Sequence, residues 1–236
     1  MIRTEAIILA GGMGKRLQPA LPDTPKPMAP VNGKPFLSYL INYLLSWDIT
    51  RIILSLGYKS QDVLSFFGER LQDVDLIYSI EDEPLGTGGG ILKAMEHAFG
   101  DEVLVLNGDT IYRIGLDSFE DFHRSRDSLL SIALRRQEET GRYGRVELDE
   151  LQRITGFTEK GKSGAGGWIN GGMYMINTAF YRRSSPGERF SLETDFLPGC
   201  IPSRRLYGYK TEGYFIDIGT PESYRRAQDE FKRSEY

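Results

Sequence analysis

Two runs of glycine and two isolated aspartates carry the chemical interest of this sequence. The first run, Leu9-Ala10-Gly11-Gly12-Met13-Gly14-Lys15-Arg16-Leu17, follows a short apolar segment and precedes Pro25-Lys26-Pro27-Met28. Glycines let backbone N–H groups approach a phosphate closely, and Arg16 and Lys26 add positive charge that holds a polyanion. A tight turn explains such a loop equally well when it stands alone. It is not a P-loop, which needs Ser or Thr after Lys15, and it lacks the third glycine of the dinucleotide fingerprint. The second run, Gly86-Thr87-Gly88-Gly89-Gly90, stands before a helical pattern that begins near Ile91. Each glycine inside a helix costs about 1 kcal/mol relative to alanine, so the cluster opposes local stability and suggests close approach by a ligand. Thr87 could cap that helix, but a cap needs one residue and not three glycines.

The acids stand at comparable places. Leu106-Asn107-Gly108-Asp109 puts a carboxylate after an apolar run, at the strand end where open α/β sheets bind ligands. Tyr214-Phe215-Ile216-Asp217-Ile218-Gly219 does the same near the other end of the chain. Two such acids could share one hard cation, and phosphate-type loops beside them favour Mg²⁺. Taken singly, Asp217 serves as well to cap the last helix and Asp109 to shape a turn. His97 and His123 show no metal-ligand spacing and read as partly exposed helix residues without catalytic partners. Cys200 is the only cysteine, which excludes an internal disulfide and reads as a small buried hydrophobe.

The elements that must position these residues follow from the periodicity. Ala6 to Leu9, Arg51 to Leu56, Leu76 to Ile80 and Val103 to Leu106 read as strands. Helical patterns at Phe36 to Leu45, Val63 to Phe67 and Ile91 to Phe99 lie between them, the alternation of βαβ units with a mainly parallel sheet. Leu129 to Leu134, Tyr143 to Leu148, Trp168 to Ile176 and Arg205 to Tyr209 are strand-like with few long helices between, so mixed pairing is expected there. Pro221 opens a final helix. With 236 residues, 40% hydrophobic and 26% charged, one folded domain over 1–236 is expected. A net charge of -4 disfavours nucleic acid as partner. The apolar run Ala6 to Ala10 is too short for a membrane span or a signal core, which points to the cytoplasm, and a homo-oligomer stays open.

These motifs, taken in order with Phe157-Thr158-Glu159-Lys160 and Ile169-Asn170-Gly171-Gly172, resemble those of the sugar-1-phosphate nucleotidyltransferases along essentially the whole chain. The resemblance implies a Rossmann-like three-layer α/β/α fold of the α/β class, with a mixed, mainly parallel central sheet. It implies that a nucleoside triphosphate and a sugar 1-phosphate react with loss of pyrophosphate. The nucleotide part would be about 1–110 and the sugar-phosphate part about 111–236. By the same resemblance Asp109 and Asp217 hold Mg²⁺, Arg16 contacts the triphosphate, and Lys26 contacts phosphate at the reacting centre. Leu9, Ala10, Gly11, Gly12, Gly14, Glu81, Gly86, Thr87, Gly88, Asn107 and Gly108 would surround the nucleotide. Tyr143, Gly144, Glu159, Lys160, Asn170 and Gly171 would bind the sugar phosphate. Lys15 departs from the Thr common in the family at that place.

Asn32 to Leu37, Tyr78 to Glu81, Glu83 to Gly89, Arg142 to Gly144 and Tyr214 to Gly219 are similar to stretches of family members that take GTP and a heptose 1-phosphate. Mannose 1-phosphate, or a uridylyltransferase, is the alternative. A carboxylate at Glu81 could accept from the two adjacent N–H groups on guanine's Watson–Crick edge, whereas uracil offers one, so GTP is favoured. Two rivals fit less well. A nicotinamide-dependent oxidoreductase needs an acid at the end of the second strand, where Ser55 and Gly57 stand. A non-catalytic nucleotide-sugar-binding module would not need both metal acids.

Overall fold

The computed structural model describes residues 5–12, 14, 16–18, 21–138, 145–158 and 166–233. Strand β1 (Glu5–Leu9) lies at the centre, and its apolar residues are buried on both faces. Ala6 and Ile8 join one hydrophobic layer and Ile7 the other, as the period-2 geometry of a strand requires. After the short ribbon β2 (Pro30–Val31) and β3 (Lys34–Pro35), helix α1 (Phe36–Leu45) leads to β4 (Arg51–Leu56). Helix α2 (Ser60–Phe67) then leads to β5 (Arg70–Leu71) and β6 (Val74–Ile80), and α3 (Gly86–Ala94) to β7 (Glu102–Asn107). β1 pairs in parallel with β4 on one side and β7 on the other, and β4 with β6.

The second half extends the sheet by mixed pairing. A short strand β8 (Thr110–Tyr112) precedes helix α4 (Leu116–Ser125) and β9 (Leu130–Gln137). The ribbon β10 (Arg145–Leu148) and β11 (Ile154–Thr158) follows, then the long strand β12 (Gly167–Asn177) and helices α5 (Thr178–Ser184) and α6 (Leu197–Cys200). Strands β13 (Leu206–Lys210) and β14 (Phe215–Asp217) and helix α7 (Pro221–Arg233) end the described chain. β12 runs antiparallel to both β7 and β9, while β13 is parallel to β9. The eight-stranded order is β13-β9-β12-β7-β1-β4-β6-β5, mixed and mainly parallel. Helices α1, α2, α4 and α7 cover one face and α3, α5 and α6 the other, giving the expected three layers.

Three expectations are corrected. The glycine cluster does not precede a helix near Ile91 but forms the first turns of α3, and a 3₁₀ turn, Met95–His97, follows it. The glycines admit a segment of the chain itself. A Cβ at Gly86 would lie 2.5 Å from the Phe190 carbonyl oxygen, one at Gly88 2.2 Å from the Phe190 ring, and one at Gly89 2.2 Å from the Glu188 carbonyl oxygen. Gly88 and Gly89 N–H both donate to Phe190 O, Phe190 N–H donates to Leu85 O, and Leu192 N–H donates to Thr87 Oγ1. Thr87 thus anchors a neighbouring segment and makes no helix cap. Third, His123 is fully buried and not partly exposed, because it lies on the inner side of α4 with Nδ1 2.9 Å from Ser131 Oγ of β9. Cys200 is buried, as expected. Among the described residues no helix is long and apolar enough to cross a membrane.

Candidate active site

β1 lies between β7 and β4 although the chain leaves it toward β4, so the crevice at the carboxyl ends of β1 and β7 is a topological switch point. A cavity of about 680 Å³ opens there, lined by Leu9, Ala10, Gly11, Gly12, Gly14, Arg16, Lys26, Glu81, Gly86, Thr87, Asn107, Gly108, Asp109 and Gly219, among others. Its floor is knit from backbone. Ala10 N–H donates to Ser55 O at 2.8 Å, and Gly108 N–H donates to Leu9 O at 2.8 Å. A Cβ on Gly108 would stand 2.5 Å from that same Leu9 oxygen, so only glycine lets the loop after β7 lie on β1. Gly14 has φ +61°, and a Cβ there would lie 3.0 Å from Lys26 Cβ, which lets the glycine loop close over the lysine stem. Arg16 is exposed at the rim.

Lys26 Nζ and Asp109 Oδ2 form an ion pair inside this cavity, and Thr110 Oγ1 donates to Asp109 Oδ1 at 3.0 Å. Burial alone would raise the Asp109 carboxyl. The Lys26 charge, with hydrogen bonds from Lys26, Thr110 and the backbone, outweighs it and holds the group below the usual range, as a carboxylate. Asp217 ends the strand antiparallel to β8, opposite Thr110, and Ile218 N–H donates to Asp109 O at 2.9 Å. The two acids therefore stand on adjoining chain ends. Asp217 Oδ1 also accepts from Gly219 N–H at 2.8 Å and Ser223 Oγ at 3.2 Å, and the residue is only 6% exposed. Asp217 thus stabilises the entry to α7 whatever else it does.

Oxygen donors of this kind suit a hard cation. Among the described residues no group of three or more His, Cys, Asp or Glu converges. Mg²⁺ is commonly held by one or two carboxylates plus substrate phosphates and water, so a pair of acids beside a phosphate cradle fits it. The Lys26 ammonium against Asp109 shows that this carboxylate already faces a cation.

Glu81 lines the cavity beyond the glycine floor, its Oε2 accepting from Leu85 N–H at 3.0 Å and its Oε1 from Ser55 Oγ at 3.4 Å. A carboxylate has about four acceptor sites, so these bonds aim it without saturating it. Gly88 is buried behind the cavity against the Phe190 ring. Asn170 and Gly171 are not among the residues that line this cavity; they lie on β12 where its register with β9 shifts. Lys15, Tyr143, Gly144, Glu159 and Lys160 lie outside the described residues. Ser55, Gly57 and Tyr58 also line the cavity and were not singled out from the sequence as site residues. A signal for Gly57 existed: it ends the second strand as Gly11 ends the first, and a Cβ on either would lie 3.1 to 3.2 Å from the other's backbone.

The sequence profile of the Nucleotidyl transferase family matches residues 5–234. The chain is 43% identical over 228 residues to D-glycero-alpha-D-manno-heptose 1-phosphate guanylyltransferase of Aneurinibacillus thermoaerophilus, covering 97% of this chain and 98% of that one. It is 38% identical over 220 residues to the enzyme of the same name from Campylobacter jejuni, covering 93% and 96%. The crystal structure of HddC from Yersinia pseudotuberculosis complexed with GMP-PN superposes with a TM-score of 0.84 at 36% identity, over 97% of this chain and 99% of that one. With a family match along nearly its full length and a glycine-floored cavity at the switch point of its sheet, this chain belongs to the nucleotidyl transferase family.

Proposed function

We propose that this enzyme transfers GMP from GTP to D-glycero-α-D-manno-heptose 1-phosphate, releasing pyrophosphate and forming a GDP-heptose. The observation that carries the reading is the Lys26–Asp109 pair set against a glycine floor in the switch-point cavity. It is supported by the guanylyltransferases to which the chain is 43% and 38% identical. Residues 1–110 form the nucleotide part and 111–236 the sugar-phosphate part of one domain, acting in the cytoplasm on soluble substrates.

The acceptor phosphate oxygen attacks the α-phosphorus of GTP. A new P–O bond forms as the bond to the bridging oxygen breaks, and pyrophosphate leaves with that electron pair. A phosphate monoester with a second pKa near ~6 is already mostly dianionic at neutral pH, so no general base is needed. The obstacle is repulsion between anions. Lys26 and Arg16 offset it, while the backbone N–H groups of Gly11, Gly12 and Gly14 cradle the triphosphate and Glu81 selects guanine. Asp109 and Asp217 hold Mg²⁺, which when bound supplies charge neutralisation on the phosphates. Asn170, Gly171 and the motif residues Tyr143, Gly144, Glu159 and Lys160 orient the sugar phosphate.

The test is pyrophosphate release measured for four nucleoside triphosphates against heptose, mannose, glucose and N-acetylated sugar 1-phosphates. GTP with the heptose phosphate is expected to be fastest. Best use of UTP would overturn the Glu81 assignment, and no pyrophosphate from any pair would leave a binding module.

A further inference from the structure

At the seam between the two half-sites lies a phenol that neither the glycine loops nor the acids account for. Tyr174 is 1% exposed on β12, opposite Val105 of β7 on one side and Ile132 of β9 on the other. Its hydroxyl accepts from Asn170 Nδ2 at 2.7 Å. Burial, with the Glu193 carboxylate nearby, pushes its pKa far up, so it is a neutral hydroxyl at every working pH.

The local backbone is shaped around this contact. In a regular strand, residues four apart are separated by roughly 13 Å. Asn170 reaches Tyr174 because the pairing of β12 with β9 slips between those two residues. The slip runs through two glycines that admit no side chain. A Cβ on Gly171 would lie 2.5 Å from the Tyr112 ring; Gly172 has φ +74°, and a Cβ there would lie 2.8 Å from Asn107 Nδ2. Gly172 N–H donates to Asn170 Oδ1 at 2.9 Å, so both ends of the Asn170 amide are fixed. Other buried phenols differ: Tyr43 donates to Ile114 O and Tyr181 to Gly88 O, main-chain bonds that hold the fold. The hydroxyl of Tyr174 instead holds the Asn170 side chain, whose other end meets Gly172, against which Asn107 of the cavity packs.

We propose that Tyr174 is a positioning residue that holds Asn170 on the sugar-phosphate side, through Gly172 keeps it in register with Asn107 on the nucleotide side, and so aligns the acceptor oxygen with the α-phosphorus. The inference rests on the roles given to those two asparagines under the proposed function. Misalignment of reacting groups by a fraction of an ångström lowers turnover more than it lowers the affinity of either substrate alone. The experiment compares Tyr174→Phe with Tyr43→Phe, which removes a buried phenol hydroxyl far from the cavity. For Tyr174→Phe we expect kcat to fall about tenfold and KM for the heptose phosphate to rise about fivefold, with Kd for GTP alone within about twofold. Tyr43→Phe is expected to keep all three.

Wild-type kinetics in folded Tyr174→Phe, or an equal loss of GTP affinity, would overturn the proposal. A cycle of Asn107→Ala and Asn170→Ala tests it even if Tyr174→Phe fails to fold. Coupling across this contact requires the double variant to lose less than the product of the single losses, by about fivefold or more, and simple multiplication of the losses refutes it. Failure of the underlying reading looks different. It shows as Asn107→Ala with unchanged GTP affinity or Asn170→Ala with unchanged acceptor KM, and it removes the inference along with the reading.

Discussion

The proposed nucleotide side, at the glycine-floored cavity, and the proposed sugar-phosphate side, on β12, are built by different means. On the nucleotide side, parallel strands β1, β4, β6 and β7 deliver their loops to one edge, and those after β1, β6 and β7 carry compact motifs. On the other side, β12 enters antiparallel between β7 and β9, and its site residues depend on a register slip and on partners far away in sequence. The first arrangement makes function local in the chain. The second makes it a property of contacts, such as Asn107 against Gly172, that no spacing rule encodes.

The same contrast separates the two acids. Asp109 faces the cavity with Lys26 as partner, while Asp217 is tied to Gly219 and Ser223 at the start of α7. Asp109→Ala should lower kcat/KM by at least about 10²-fold with little change in melting temperature, as expected on removing a dominant electrostatic element. Asp217→Ala should lower activity comparably but also cost about 1–3 kcal/mol of stability, because two donors lose their acceptor. Steady-state assays beside denaturant titrations check both, and near-normal activity in either variant refutes its metal role.

Acid sharpens the comparison next, because the second half buries a histidine. Burial lowers the His123 pKa to about 4; Glu102 opposes that and Arg124 adds to it. The folded value is below the unfolded one, so this contribution is complete above the unfolded pKa near ~6.5 and is lost as pH falls toward about 4. At about 1.4 kcal/mol per pKa unit, the loss across that window is on the order of 3 kcal/mol. The Asp109 carboxyl, on the nucleotide side, is held against the effect of burial, chiefly by Lys26, below the ordinary carboxylate range, and stays charged across that window. Urea midpoints between pH 7 and pH 4.5 should fall steadily, and a flat profile refutes the assignment.

On the nucleotide side, Glu81→Gln should lower kcat/KM for GTP about tenfold relative to that for UTP, since a neutral amide cannot accept both guanine N–H groups through two oxygens. An unchanged base preference would remove Glu81 from recognition. The smallest effect concerns the strap that joins the two halves. Thr87→Val removes the acceptor of Leu192 N–H and should cost about 1 kcal/mol, seen as a lower urea midpoint. If the midpoint holds, the contact contributes nothing to docking the 188–192 segment on α3.

The strand and helix series of the first half was legible because alternation and helical spacing follow directly from which faces are buried. The position of α3 was not. Glycine disfavours helix in isolation, yet here docking of Phe190 and Leu192 overrides that preference. His123 was misplaced for a similar reason: on one helix its burial depends on which face meets β9, and Ser131 decides that.

The order of motifs in the chain determined the reaction family, because each motif is a run of neighbouring residues whose chemistry does not depend on the rest. Only the fold decided that the glycines of α3 admit the chain's own Phe190 segment, that Asp217 also secures a helix, and that a buried phenol holds Asn170. Those outcomes depend on contacts between residues tens of positions apart, and such contacts exist only once the sheet has fixed its strand order.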